Sequence, residues 1–261
     1  MTDVVEATPA PRADLVARLR ELRRLAIVPA LDEEATVGSV IDEIRSFDPD
    51  FEIAVIDDGS TDRTSAVAAS RAVHVIRLPF NVGIGGAVQT GYRYAFENGF
   101  DLAVQVDGDG QHDPAELPKI LRPVLDDEAD LVVGSRFAGH DAYRSTAVRR
   151  VGIRIFASVV SAVVGQRITD ATSGFRAANA RGIALFAADY PHDYPEVEAT
   201  VMCVKNGLRL EEVPVAMRER SGGRSSITTL RSIYYMAKVL LAIFVGLFRR
   251  YNVPPEEEKR R

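Results

Sequence analysis

Residues 25–60, LAIVPALDEEATVGSVIDEIRSFDPDFEIAVIDDGS, contain two hydrophobic periodicities, and the architecture follows from their order. Two short runs rich in β-branched residues, LAIVP (25–29) and EIAVID (52–57), have the length and composition of buried strands. Between them, TVGSVIDEIRSF (36–47) repeats its apolar residues at helical spacing. A strand, a helix and a second strand in this order predict two parallel strands joined by a crossover helix.

The same alternation continues downstream and predicts an α/β fold, a mostly parallel sheet flanked by helices. With 261 residues, 46% of them hydrophobic, the chain can build one compact domain with appendages. The further predicted strands are HVIRL (74–78), LAVQVD (102–107) and DLVVGS (130–135), and the further predicted helices are 61–71, 85–99 and 114–125.

Polar residues directly follow four of the predicted strands. The carboxyl ends of parallel strands lie at one edge of a sheet, and ligands of such sheets bind there. We therefore expect these four groups to converge on a single rim. They are PALDE (29–33), DDGS (57–60), DGDG (107–110) and GSR (134–136).

The acidic pair Asp107 and Asp109 is the candidate metal site. Two carboxylates two residues apart repel each other unless a cation lies between them. Mg²⁺ is commonly bound by one or two carboxylates together with water and substrate phosphates, so the pair fits Mg²⁺ or Mn²⁺ holding a diphosphate. An ordinary solvated Asp-Gly turn is the alternative, and the position after a buried strand favours the metal site.

Asp57 and Asp58 form a second acidic turn, whose carboxylates could accept hydrogen bonds from a nucleobase or a ribose. Asp62 or Thr61 could simply cap the following helix. The loop NVGIGG (81–86) lacks the spacing and the Lys-Ser/Thr pair of a phosphate-binding loop, so we interpret it as close backbone packing beside the nucleotide.

Charge and cysteine content narrow the class of protein. A net charge of −5 argues against general nucleic-acid binding. The one cysteine, Cys203, excludes an internal disulfide and is expected to be a small buried residue. The first residues lack the apolar core of a secretory signal, which favours a cytoplasmic protein. Residues 1–24 are predicted to be a flexible arm with a short helix.

Two apolar runs flanked by cations predict contact with a membrane surface. One lies within residues 148–165, and the other covers residues 227–250 and precedes a charged tail, 251–261. The second run is short for a membrane span, so both are predicted to be interfacial amphipathic helices at the cytoplasmic face of the cell membrane. Core helices of the domain are the alternative.

Six motifs in order resemble the GT-A fold family 2 glycosyltransferases, and more narrowly their dolichyl or polyprenyl phosphate mannose synthase-like branch. The resemblance covers residues 25–226, which it implies are a GT-A (Rossmann-like) catalytic domain. It also implies an inverting transfer of a sugar from a GDP- or UDP-linked donor to a polyprenyl phosphate. The motifs are PALDEE, VIDDGSTD, NVGIGGAVQTG, QVDGDGQHDP, GSRF and DATSGFRAAN.

The resemblance also implies roles for individual residues. Gln111 joins the acidic pair as a metal ligand, and Asp109, Arg136 and Arg220 are the catalytic set. The family's lysine falls on Ser226, so its phosphate contact is lost or passes to Arg224. With Asp57 added from the turn chemistry, the predicted nucleotide-sugar site is Pro29, Leu31, Glu33, Ile56, Asp57, Asp58, Asp107, Gly108 and Asp109. The predicted acceptor-phosphate site is Arg136, Arg220, Arg224 and Ser226.

The acceptor is inferred from the lack of an evident general base. The Glu-Asp dyad of the family's sugar-polymerising members is not evident, and the nearest acids, Glu196 and Glu198, suit the start of a helix equally well. A phosphate monoester is already anionic at neutral pH and needs no base. The alternatives are a hydroxyl acceptor on a glycan or small molecule, and a non-catalytic nucleotide-binding scaffold. A small integral-membrane subunit or a second copy of the chain is an expected partner.

Overall fold

The computed structural model describes residues 12–138 and 157–218, in which seven strands form one sheet with helices on both faces. The strands are β1 (Arg24–Ala30), β2 (Glu52–Asp57), β3 (His74–Arg77), β4 (Leu102–Gln105), β5 (Leu131–Ser135), β6 (Arg176–Asn179) and β7 (Leu210–Pro214). The helices are α1 (Arg12–Leu19), α2 (Val37–Phe47), α3 (Thr64–Ala69), α4 (Ile84–Glu97), α5 (Leu117–Leu125), α6 (157–164), α7 (Ala180–Ala188) and α8 (Pro195–Lys205), with a 3₁₀ turn, Pro114–Glu116, before α5.

The strand order is β3-β2-β1-β4-β6-β5-β7, and the mostly parallel sheet is as predicted. Strand β6 is the exception, because it runs antiparallel between β4 and β5. It was not predicted from the sequence, since RAAN (176–179) has only four residues and no β-branched side chain. Five strands predicted from the sequence, β1 to β5, all form.

Both faces of the sheet are covered, which explains why the parallel strands consist almost entirely of apolar residues. On β1, Ala26 and Val28 pack with α1, α2 and α5 in one core layer. Leu25 and Ile27 point the other way and pack with α4, α7 and α8. The two layers hold the strand ends at a common edge.

The predicted N-terminal arm is partly integrated into the domain. Helix α1 buries Leu15 and Leu19 in the first core layer, and Arg24 on β1 forms a buried ion pair with Asp48, with 2.6 Å between Nε and Oδ2.

Residues 1–11 of the arm lie outside the described residues, as do the predicted segments 227–250 and 251–261 and the first part of 148–165. The remainder of 148–165 contains α6, which packs Val160 against α8. Among the helices of the described ranges, none is long and apolar enough to cross a bilayer.

Asp130 ties the amino end of β5 to its neighbours. Its carboxylate accepts hydrogen bonds from Asn179 Nδ2 at 2.8 Å, Arg181 Nη1 at 3.0 Å and Arg209 N at 2.8 Å. Burial alone would raise the pKa of Asp130, but the hydrogen bonds and the two arginine charges lower it to about 2. The side chain is fully buried, so a neutral replacement leaves the arginines without their counter-charge.

We expect Asp130→Asn to lower the free energy of unfolding by about 2 kcal/mol near neutral pH. This loss is smaller than that expected when a fully buried ion pair is broken, because both arginines are half-exposed. Because its folded-state pKa is lowered, ionised Asp130 stabilises the folded protein at pH values above its unfolded-state pKa of about 3.9. This contribution is lost as the pH falls towards about 2. Urea unfolding of both proteins should therefore show a constant difference from pH 7 to 5 that shrinks below pH 4. A difference that persists at pH 2 would contradict this assignment.

Candidate functional site

The turns after β1 and β2 are joined into one structure, as the predicted rim requires. The N–H of Asp58 donates to Ala30 O at 2.9 Å, which extends the pairing of the two strands past their ends. Asp32 N donates to Ser60 Oγ at 2.9 Å, and Asp32 Oδ1 accepts from Thr61 N at 2.8 Å. The first and second polar groups therefore form a single rigid double turn.

The acidic loop after β4 is attached to the same rim from the other side of β1. Gly108 N donates to Pro29 O at 3.0 Å. The Thr36 hydroxyl lies 2.7 Å from Gly108 O and 2.9 Å from Glu33 Oε2, and its one proton can serve either acceptor. Pro29, Glu33 and Gly108, all predicted nucleotide-sugar residues, are thereby brought together. Thr36 was not predicted.

Asp107 and Asp109 leave the sheet together, and hydrogen bonds within the loop orient both. Asp107 Oδ1 accepts from Gln105 Nε2 at 2.9 Å, and Asp109 Oδ1 accepts from Gln111 N at 3.0 Å. The carbonyl of Gln111 accepts from Arg218 N at 2.9 Å. Residue 218, two positions before the predicted phosphate-binding Arg220, is therefore bonded directly to the acidic loop.

His112 supports Asp107 from inside the protein. Its Nδ1 accepts the N–H of Asp107 at 3.0 Å, so the ring proton belongs on Nε2, which lies 3.7 Å from Asp107 Oδ2. The ring is almost fully buried and stacks on Phe175 at a centroid distance of 4.9 Å. His112 was not among the residues singled out from the sequence.

The donor set fits a metal that is also held by its substrate. Over residues 12–138 and 157–218, no cluster of three or more His, Cys, Asp or Glu side chains could enclose a metal. Asp107 and Asp109 instead match the arrangement in which two carboxylates bind the ion and water and phosphate oxygens complete its shell. The amide of Gln111 is the third predicted ligand of the same loop.

Two predicted nucleotide residues of β2, Ile56 and Asp57, are committed to the protein itself. Ile56 is fully buried in the core, which removes its side chain from the predicted nucleoside surface. Asp57 is also fully buried and accepts from Ser60 N at 2.8 Å and from the Ser65 hydroxyl. Burial alone would raise the pKa of Asp57, but these hydrogen bonds and the charge of Arg77 hold it below its ordinary value. Asp57 therefore closes the turn rather than facing a nucleotide.

Asp58 holds the loop after β3 against the rim. Its two carboxylate oxygens accept from Val82 N at 2.7 Å and from Gly83 N at 3.0 Å. The predicted packing of NVGIGG beside the nucleotide site thus has a specific basis, a carboxylate bound to two successive amides. Beside it, Leu31 is exposed, as a nucleoside-contacting residue must be.

Arg136 lies at the carboxyl end of β5 and is bound to a residue that the sequence did not single out. Its Nε and Nη2 donate to the two oxygens of Asp170, at 2.7 and 2.8 Å. Asp170 opens the motif DATSGFRAAN, so the signal was present but carried no role. Arg220, Arg224 and Ser226, the other predicted acceptor-phosphate residues, lie outside the described residues.

A buried cation lies beneath the rim and was also missed. The guanidinium of Arg176 donates to Ser173 O at 2.8 Å and to Glu196 O at 2.6 Å, and within the described ranges its buried Nη1 has no hydrogen-bond partner. Burial raises the pKa of the Glu196 carboxyl; Arg176 opposes the shift and Asp107 adds to it. Glu196 and Glu198 occupy the first turn of α8, which agrees with the helix-start role that the sequence left open beside a catalytic one.

The chain is similar to known proteins over most of its length. The family model described as Glycosyl transferase family 2 matches residues 25–189. The chain is similar to the undecaprenyl-phosphate mannosyltransferase of Micrococcus luteus, with 33% identity over 216 residues that cover 79% of this chain and 88% of the relative. It is also similar to the polyprenol monophosphomannose synthase of Mycolicibacterium smegmatis, with 32% identity covering 79% of this chain and 81% of the relative.

A solved structure shows the same fold. Glucosyl-3-phosphoglycerate synthase from Mycobacterium tuberculosis, crystallised with Mn²⁺, uridine diphosphate and glucosyl-3-phosphoglycerate, superposes with a TM-score of 0.71. The identity is 22%, and the match covers 96% of this chain and 88% of that one. The predicted GT-A architecture is therefore confirmed.

Gly174 offers a direct test of the acidic loop. A Cβ at this position would lie 2.8 Å from Gln105 Nε2 and 3.2 Å from Asp107 Oδ2. Gly174→Ala must therefore displace the Gln105 amide, which orients Asp107, and it crowds the Asp107 carboxylate itself. We expect Mn²⁺ to bind about tenfold more weakly, the scale seen when the surroundings of a metal ligand are changed. The measurement is a Mn²⁺ titration of the thermal shift with UDP or GDP present.

The matched control for this prediction is Gly38→Ala, where the added methyl meets only the flexible Arg71 guanidinium. Its Mn²⁺ response should equal that of the wild type. An unchanged response in Gly174→Ala would contradict the prediction that Gln105 orients Asp107 for metal binding.

Proposed function

The chain belongs to glycosyl transferase family 2, and from this premise we propose that it moves a sugar from a GDP- or UDP-linked donor to a polyprenyl phosphate, with inversion at the anomeric carbon. One observation carries the proposal: the acidic pair of Asp107 and Asp109 and the cation of Arg136 follow strands of the same sheet at the same edge. Two relatives support it, one named for undecaprenyl phosphate and the other for synthesis of polyprenol monophosphomannose.

Each half of this edge suits one reactant. Asp107, Asp109 and Gln111 would hold Mg²⁺ or Mn²⁺, which when bound neutralises the leaving diphosphate. Pro29, Leu31 and Glu33 would line the nucleoside side, next to the double turn that holds Asp58. Arg136 would bind the acceptor phosphate, because its permanently charged guanidinium is partly exposed at the rim and attracts an anion. A phosphate nucleophile is anionic at neutral pH, so orientation rather than deprotonation is what the protein must supply.

The test is transfer of radiolabelled sugar from a panel of GDP-mannose, UDP-glucose and UDP-N-acetylglucosamine to undecaprenyl phosphate in detergent. We expect a lipid-extractable product that mild acid hydrolyses, formed only with Mg²⁺ or Mn²⁺. Asp109→Asn should reduce turnover by at least about a hundredfold, since one oriented electrostatic contact to developing charge contributes on this scale. Labelled product that stays in the aqueous phase would refute the lipid acceptor, and full activity of Asp109→Asn would refute the metal assignment.

A hydroxyl acceptor is the second candidate, and Glu196 is the observation that favours it. A carboxyl whose pKa is raised by burial is a better general base near neutral pH than an ordinary glutamate. For a phosphate acceptor we expect Glu196→Gln to change turnover by less than about tenfold, because no base is required. A loss of about a hundredfold or more, within the range for a lost general base, would favour the hydroxyl acceptor.

We further propose that the enzyme works at the cytoplasmic face of the membrane. The support is sequence-based: the apolar runs in 148–165 and 227–250 are flanked by arginines, which attract anionic lipid. The full chain should float with phosphatidylglycerol vesicles at low salt. It should not float with phosphatidylcholine vesicles, and high salt should release it from phosphatidylglycerol vesicles. Replacing Arg249 and Arg250 by glutamate should weaken flotation at least about fivefold, and unchanged flotation would contradict the proposed electrostatic contact.

A further inference from the structure

The loop between α6 and β6 contains a buried carboxylate that the proposed reaction does not yet use. We propose that Asp170 is a positioning residue, which holds the guanidinium of Arg136 at the rim in the orientation that the acceptor phosphate requires. The inference rests on the proposed function, because it assigns Arg136 to that phosphate.

Asp170 fixes both the backbone and the side chain of Arg136. Its Oδ2 accepts from Arg136 N at 3.1 Å and from Arg136 Nε at 2.7 Å, while Oδ1 accepts from Arg136 Nη2 at 2.8 Å. Thr172 Oγ1 lies 2.8 Å from the same Nη2 and 3.1 Å from Asp170 Oδ1. The plane of the guanidinium is therefore defined by two contacts to one carboxylate and one to a hydroxyl, while the third carboxylate contact fixes the backbone of Arg136.

Asp170 is itself held by β7. Glu212 Oε1 accepts from Asp170 N at 2.8 Å, and Glu212 Oε2 accepts from Thr169 N at 2.6 Å and from the Thr169 hydroxyl at 2.9 Å. The Thr169 hydroxyl also lies 2.7 Å from Ser135 Oγ, at the end of β5. This chain of contacts joins β7, the 169–172 loop and β5 into one support for Arg136.

The arrangement has the form of a positioning device because the two partners differ in exposure. The Asp170 side chain is 1% exposed, whereas that of Arg136 is 27% exposed. The carboxylate has no access to a ligand, and the guanidinium that it orients does. Fixing the rotamer of Arg136 before binding avoids the entropy cost of ordering a long side chain when the phosphate arrives.

The same strand carries a natural comparison. Asp130, at the amino end of β5, is just as buried and is paired with two arginines, but it lies at the opposite end of the strand from the rim. A role limited to holding β5 in place predicts similar kinetic behaviour for both aspartates. A positioning role predicts that only Asp170 affects the acceptor.

The experiment compares Asp170→Asn with Asp130→Asn and with Arg136→Ala in steady-state transfer to undecaprenyl phosphate. We expect Asp170→Asn to raise the KM for undecaprenyl phosphate at least tenfold and to leave the KM for the nucleotide sugar within twofold. Asp130→Asn should lower thermal stability and leave both KM values within twofold. In the Arg136→Ala background, Asp170→Asn should have no further effect on acceptor KM, because the residue acts through Arg136.

Equal effects of the Asp170 and Asp130 variants on acceptor KM, or an undiminished effect of Asp170→Asn without Arg136, would overturn the inference. If Asp170→Asn does not fold, Thr172→Val removes one contact to the same Nη2 and should raise acceptor KM about threefold; an unchanged value would also overturn it. If the wild type transfers no sugar to undecaprenyl phosphate, the proposed function fails and the inference fails with it. If the wild type is active and Asp170→Asn has the wild-type acceptor KM, the inference fails but the proposed function stands.

Discussion

The site depends on how strand β1 ends. This interior strand pairs with β2 on one side and β4 on the other, and beyond the ladders its carbonyls continue to accept from both neighbours. Pro29 has no N–H, so it cannot donate to the β4 side, and the regular β1–β4 pairing ends at Ile27 and Gln105. Pro29 O still accepts from Gly108 N. The chain after β4 can therefore leave the sheet as an acidic loop while it remains hydrogen-bonded to β1.

Sequence periodicity was sufficient for the five strands and the helices between them, because each buries a face whose apolar spacing is visible locally. It failed at β6, whose four small residues become a strand only because β4 and β5 lie on either side of it. The rim was predictable for a related reason: strand ends in a parallel sheet share one edge, whatever their side chains do.

Side-chain roles were less predictable, because they depend on partners distant in the sequence. Asp57 and Asp58 are adjacent and chemically identical, yet Asp57 points into the turn towards Ser60, whereas Asp58 binds the loop amides of Val82 and Gly83. Arg136 and Asp170 are 34 residues apart, and no local pattern links them. Arg176 lies within the motif DATSGFRAAN, but its full burial was not predicted, because burial of a guanidinium cannot be inferred from composition.

The antiparallel strand that the sequence missed also explains how the two halves of the rim are coupled. The segment leading into β6, residues 169–176, crosses between the acidic loop of β4 and the end of β5. Its Asp170 holds Arg136, its Gly174 lies against Asp107, and its Phe175 stacks on His112. A parallel strand in this place would begin at the opposite edge, so the segment that enters it would not cross the rim. Inserting β6 in reverse lets one short segment set the separation between the acidic pair and the cation of Arg136. The proposed in-line transfer between two phosphates requires that distance to be fixed.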